Sequence, residues 1–162
     1  MAPDSRPRER RSIARNKRAT HEYLIQDELE VGIVLTGTEV KSLRAGRVSL
    51  QEAFCFIKDG ELRIMRMHIP EYAQGNVHNH EPTRDRVLLA KKREVEKWSK
   101  AVREKGTTLI PLEILWDGSL VKLRVGLARG KKLHDKRQSK REKDDRREVD
   151  RAMKAARRGD HR

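Results

Sequence analysis

Between Ile110 and Leu127, apolar side chains alternate with others on both sides of an Asp117-Gly118 pair. Ile110, Leu112, Ile114 and Trp116 lead up to the pair, and Val121, Leu123, Val125 and Leu127 lead away from it. A period of two puts every second side chain on one face of a strand. An Asp-Gly pair supplies the positive φ that a tight hairpin turn requires. The spacing predicts an antiparallel hairpin with one core face, and with Lys122 and Arg124 on the other. Pro111 has no N–H for a ladder, so its strand lies at an edge or is bulged there.

The same logic extends upstream. Leu29, Val31, Ile33 and Leu35 alternate as a strand that Thr36-Gly37-Thr38 breaks. Residues 39–45 read as a short helix, with Thr38 as N-cap and Gly46 as the stop. Residues 47–57 read as the next strand, with Val48, Leu50, Phe54 and Phe56 on its core face. Asp59-Gly60 is a second hairpin signal, followed by Leu62, Ile64, Met65 and Met67. Residues 69–84 read as irregular. Residues 84–105 read as one helix, because Leu88, Val95, Trp98 and Val102 form a stripe that ends at Gly106. About six short antiparallel strands in so small a body suggest closure on themselves. The expected class is mainly β with helices: an OB-fold-like antiparallel barrel with peripheral α-helices and a basic, disordered C-terminal tail.

Charge divides the chain further. Residues 1–18 carry seven basic and two acidic groups, residues 129–162 fifteen and seven, and the stretch between them seventeen and sixteen. A nearly neutral body thus bears two basic arms, the pattern of a chain that meets polyanions. The expected divisions are a disordered basic arm over 1–12, an RNA-binding body over 13–128 and a basic tail over 129–162. The tail has too few apolar groups to offset its ordering entropy when free. Val149, Met153 and Ala156 nevertheless share helical spacing, and Asp150 precedes Lys154 by four, so a partner could make it helical. The long apolar run of a membrane span and the apolar stretch of a secretory signal are both missing. Cys55 is the one cysteine, which makes no intrachain disulfide. The expectation is a cytoplasmic monomer without membrane contact.

Catalysis has little to stand on. His78 and His80 are two apart, with no third histidine or cysteine at zinc-ligand spacing. Gly37 and Gly46 do not make a phosphate loop, and no nucleophile signature is present. No cofactor, metal or catalytic residue is expected. Asn16, Lys17 and Arg18, leading into a strand at His21-Glu22-Tyr23, either contact phosphate and base edges or form an ordinary basic lead-in. Glu30 either sits solvated or lies beside RNA, where it accepts hydrogen bonds from a base or orients a basic side chain. Lys41 with Arg44, and Lys122 with Arg124, suit backbone contacts or equally a solvated edge. Few aromatics remain once Phe54, Phe56, Trp98 and Trp116 are assigned to the core, which favours recognition of folded RNA by shape. At the start of the tail Gly130 gives a flexible exit, and His134 can stack on a base. A ribosome-structural protein fits the arms equally well. An RNA-cleaving enzyme using His21 and Glu22 or the His78/His80 loop fits poorly.

Three motifs carry a resemblance. Asn16-Lys17-Arg18-Ala19 with His21-Glu22-Tyr23, then Gly37 to Gly46, then Gly126 to Lys132 with Asp135-Lys136-Arg137, resemble the SmpB family, the bacterial SsrA-binding proteins of trans-translation. The match is collinear from about Ala14 to Met153. The resemblance implies an adaptor that binds the tRNA-like domain of transfer-messenger RNA and carries it to stalled ribosomes. It implies that the tail engages the small-subunit decoding centre and empty mRNA channel. By matching position it assigns Asn16, Lys17, Arg18, His21, Glu30, Leu89 and Lys122 to the RNA surface. It assigns Gly130, Lys131, Lys132, His134, Asp135, Lys136 and Arg137 to ribosome engagement, and Met153 and Lys154 to the tail helix. Val87, Ala90, Lys91 and Ala152 depart from the family's usual residues.

Overall fold

The computed structural model describes residues 8–74, 79–104, 106–130 and 133–159. In chain order its elements are β1 (Arg10–Arg15), α1 (Lys17–Glu22), β2 (Tyr23–Ile33), α2 (Gly37–Arg44), β3 (Phe54–Lys58), β4 (Glu61–Met65), β5 (Arg86–Leu89), α3 (Lys92–Val102), β6 (Thr107–Asp117), β7 (Leu120–Gly130) and α4 (Leu133–Gly159).

The predicted hairpin is β6–β7. Asp117 pairs with Leu120, so Gly118 and Ser119 form the loop, with Gly118 at φ 62°. The second hairpin turns at Asp59 and Gly60, with φ of 52° and 75°, the paired positive values of a tight hairpin turn. The strands follow the order β6-β3-β4-β5-β2-β7, and β7 pairs back with β6. All pairings are antiparallel, so six strands close a ring and β1 lies along the far half of β6. Closure leaves no long free edge among these six strands.

The ladder slips by one residue between Pro111 and Glu113. A bulge there absorbs the missing proline N–H and, for the residues before it, inverts the faces that simple alternation assigned. Leu109, Ile114 and Trp116 enter the barrel core, while Ile110 joins Ala19 and Ala128 in a separate apolar cluster beneath α1. That cluster seats α1 on the outside of the hairpin. Gly126 pairs with Ile110, and a Cβ on it would lie 3.0 Å from Leu112 Cδ1. Overpacking of a close-packed face typically costs about 1–3 kcal/mol. Gly126→Ala is therefore expected to lower stability by an amount in that range, read as a lower urea midpoint with an unchanged m-value.

Several sequence expectations need correction. Arg10–Ser12, expected to be disordered, begin β1, because β6 offers a backbone edge that pairs without needing apolar side chains. Residues 17–22, read as running directly into a strand, make a short helix. Thr36, not Thr38, is the N-cap of α2, and it forms a reciprocal capping box with Glu39. Residues 47–57 are not one strand. A turn over 50–53 resets the pattern, so Cys55 is buried and Phe54 and Phe56 lie on the outer, half-buried face. Residues 84–105 divide into β5 and α3. Val95 and Trp98 are α3's buried stripe, but Leu88 belongs to a strand. The tail, expected to be disordered when free and helical with a partner, is in the helical state as α4. No glycine or proline interrupts α4 before Gly159.

Candidate RNA-contact surface

Glu30 on β2 faces Arg124 on β7, and Gly32 pairs with Lys122 on one side and Leu89 on the other. Lys122, Gly32 and Leu89 thus form a row across three strands on the outer face. A Cβ on Gly32 would lie 3.3 Å from Leu89 Cβ, so the missing side chain lets Leu89 lean over the strand. Leu89 is 59% exposed, the most exposed large apolar residue of the barrel. An apolar side chain beside lysine suits contact with the sugar face of a nucleotide better than it suits water.

Glu30 holds a cation, one of the three readings open to it from sequence. Arg10 Nη2 donates to Glu30 Oε2 at 2.5 Å, and its Nη1 lies 4.0 Å from Asp117 Oδ2. Arg124 donates to Glu28 and, at 3.2 Å, to Glu113, which also faces Arg15 at 3.7 Å. The Glu30 hydrogen bond raises the Arg10 guanidinium above its ordinary value, and the Glu28 bond does the same for Arg124. Both remain cations held in a fixed place. Arg10 was missed from the sequence, because nothing in a run of arginines marks the one that meets Glu30.

Asn16, Lys17, Arg18 and His21 lie elsewhere. Asn16 is buried at the bulge, where its N–H donates to Leu112 O at 2.8 Å and Nδ2 to Pro111 O at 2.9 Å. Its Oδ1 has no partner among the described residues. The role this gives Asn16 is to lock α1 onto the bulge. Lys17, Arg18 and His21 are exposed on α1, and Arg18 pairs with Glu22 at 3.0 Å and Glu52 at 3.5 Å. Tyr23 begins β2 opposite Gly130, and Gly32 stands nine residues further on. At about 3.3 Å per residue the two groups are roughly 30 Å apart along one strand. One groove, lined by Arg15, Asn16, Lys17, Glu28, Glu113 and Arg124, links the α1 end to Arg124 between them.

Lys41 and Arg44 are exposed on α2. Lys41 Nζ lies 5.4 Å from the centre of the Tyr72 ring, within cation–π range. Of the segment read as irregular, residues 69–84, Ile69, Pro70 and His80 are pinned to this helix or to one another. Ser42 Oγ donates to Pro70 O at 2.7 Å, His80 Nδ1 meets Thr38 Oγ1 at 2.8 Å, and His80 Nε2 meets Ile69 O at 2.7 Å. Beneath them Glu39 and Arg86, both with fully buried side chains, form an ion pair that Arg84 completes. Arg86 also donates to the carbonyls of Met67, Arg84 and Pro82. Burial pushes the Glu39 carboxyl up. Hydrogen bonds from Arg84, the Thr36 N–H and Arg86 outweigh that and hold it below the ordinary carboxylate range.

Gly130 ends β7 and is exposed. Lys131 and Lys132, like His78, lie outside the described residues. His134, Asp135 and Lys136 fall in the first turn of α4, and Arg137 is exposed just beyond them. Val149 and Met153 are 51% and 58% exposed, and Lys154 is exposed beside them. Among the described residues no His, Cys, Asp and Glu cluster could hold a metal ion, and no helix is long and apolar enough to cross a membrane.

The model of the family described as SmpB protein matches residues 13–155. An SsrA-binding protein of Acidothermus cellulolyticus is 52% identical over 144 residues, covering 89% of this chain and 91% of that protein. One from Acetivibrio thermocellus is 47% identical over 146 residues, covering 90% and 95%. A solved chain described under "tmRNA-SmpB: a journey to the center of the bacterial ribosome" is 44% identical, with a TM-score of 0.63 over 74% of this chain and 85% of that one.

Proposed function

The chain belongs to the SmpB family, and on that footing we propose that it is the RNA-binding adaptor of trans-translation. It binds transfer-messenger RNA, enters stalled ribosomes with it in the cytoplasm, and is not an enzyme. The observation that carries this reading is identity of about half with SsrA-binding proteins along nearly the full length of both chains.

The geometry supports a division of labour. The Lys122–Gly32–Leu89 row, with Arg10 fixed by Glu30, contacts the tRNA-like domain. Lys17, Arg18 and His21 extend the contact from α1, held by Asn16, and Lys41, Arg44 and Arg124 supply phosphate contacts. Residues 130–137 and the Met153–Lys154 face engage the decoding centre and the empty mRNA channel. The helix α4 is the form in which the tail makes that contact.

Filter binding of transfer-messenger RNA against ordinary tRNA at two salt concentrations tests the reading. A preference that survives the higher salt is expected. Equal binding that collapses with salt would mean that the basic arms act nonspecifically. In the same assay Lys122→Ala is expected to weaken binding and to reduce the slope of log K against log salt by about 1, one phosphate contact's share. An unchanged slope would remove Lys122 from the phosphate contacts.

A further inference from the structure

The geometry points to a second RNA-binding groove, between α3 and β3, that accepts unpaired bases. In the ring order β3 stands three strands from β2 in either direction, so this groove lies across the barrel from the Lys122 row. The inference rests on the adaptor reading only for the class of partner.

Cys55 is buried in the barrel, so its neighbours Phe54 and Phe56 face outward on the same side of β3, about 6.6 Å apart along the strand. They floor a cavity of about 480 Å³ whose far wall is Val102 and Arg103 of the α3 end. Through Ile57 and Arg103 it continues into a second cavity of about 430 Å³ under Lys92 and Lys100, with Glu96 as the acid on that rim. An apolar floor with two rings and a rim of three cations against one anion is complementary to a short, stacked polyanion.

The chain also shapes the platform. Arg66 adopts φ 59°, a left-handed conformation that side-chain-bearing residues rarely take. In that conformation its guanidinium lies 5.7 Å from the centre of the Phe54 ring. A cation held over an aromatic face is the arrangement by which single-strand binders combine stacking with phosphate attraction. An adaptor that holds folded RNA on one side of its barrel thereby has a separate hold for unpaired RNA on the other.

The test uses the full-length protein, with its folded-RNA surface saturated by the tRNA-like domain, and a hexanucleotide carrying 4-thiouridine. Irradiation is expected to give an adduct on the peptide that contains Phe54 and Phe56. Phe56→Leu, which keeps apolar volume and loses the ring, is expected to weaken hexanucleotide binding by about fivefold or more. Arg103→Gln should weaken it and lower its salt dependence. Both variants should keep the wild-type thermal midpoint and the wild-type affinity for the tRNA-like domain. Adducts confined to residues 8–22 and 129–162 would overturn the proposal. So would binding of an amphipathic Glu/Leu dodecapeptide at this groove in place of RNA. The adaptor reading is judged separately, by whether the wild-type protein retains the tRNA-like domain in the same mixture.

Discussion

Glu39→Leu is expected to destabilise the protein by about 3–5 kcal/mol, because it strands the Arg86 guanidinium in the core without its counter-charge. Both side chains of the pair are fully buried, whereas that of Arg84 is 28% exposed and can turn to water. Urea unfolding at neutral pH measures the loss. Glu39→Leu combined with Arg86→Met should recover much of it, since removing both charges leaves neither one uncompensated. A pH series separates the charge from mere packing. Glu39 ionises below the ordinary carboxylate range in the folded protein. Its contribution is complete above the unfolded glutamate value and is lost as pH falls through the lower folded one. The wild type should lose that increment of stability on acidification, and the double variant should lack it. If Glu39→Leu alone shifts stability by less than about 1 kcal/mol, the pair is not the buried lock described here.

Removal of residues 131–162 should leave the affinity for the tRNA-like domain largely intact and abolish tagging of peptides on stalled ribosomes. The cut has to follow Gly130. Arg129 and Gly130 are still paired with Leu24 and Tyr23 across β7–β2, and Ala128 is fully buried. A cut after Ala128 would remove the end of a barrel strand and confuse folding with function. A finer variant tests the tail's apolar face. Val149 and Met153 are more than half exposed, so Val149→Glu with Met153→Glu should leave the melting point unchanged while reducing tagging. Loss of RNA binding together with tagging in the truncated protein would refute the division between body and tail.

What the sequence announced was whatever depends on near neighbours. The β6–β7 hairpin was legible because its alternation and its turn signal lie within eighteen residues. So were the Asp59-Gly60 turn and the existence of α2. The failures share a physical reason. Leu88 sits seven residues before Val95, which is helical spacing, yet β4 and β2 flank it and make it a strand. Phe54 and Phe56 carry the hydrophobicity of core residues, but the turn over 50–53 gives the core position to Cys55. Ile110 and Ile114 have the same parity, and a single bulge sends them to different clusters. Arg86 and Arg10 find Glu39 and Glu30 across 47 and 20 residues, and no local pattern marks a pairing of that kind. Of the surface residues, the resemblance singled out Leu89, and the structure supplies a reason, since Gly32 makes room for it.

The ring is unevenly stitched. The β2–β7 and β6–β7 ladders run nearly the whole length of eleven-residue strands, while β3 meets β6 at the single pair Cys55–Leu109 and β5 meets β2 at Gly32 and Ile33. Local opening follows the thinnest pairing, so thermal breathing falls on the β3–β4 side and spares the other. The stiff side is a three-stranded beam, β2-β7-β6, with Lys122 and Gly32 near one end and Gly130, the root of the tail, at the other. The barrel therefore acts as a gauge block: roughly 30 Å of strand fixes the offset between Lys122 at one end and the point from which the tail departs, whatever the softer wall is doing.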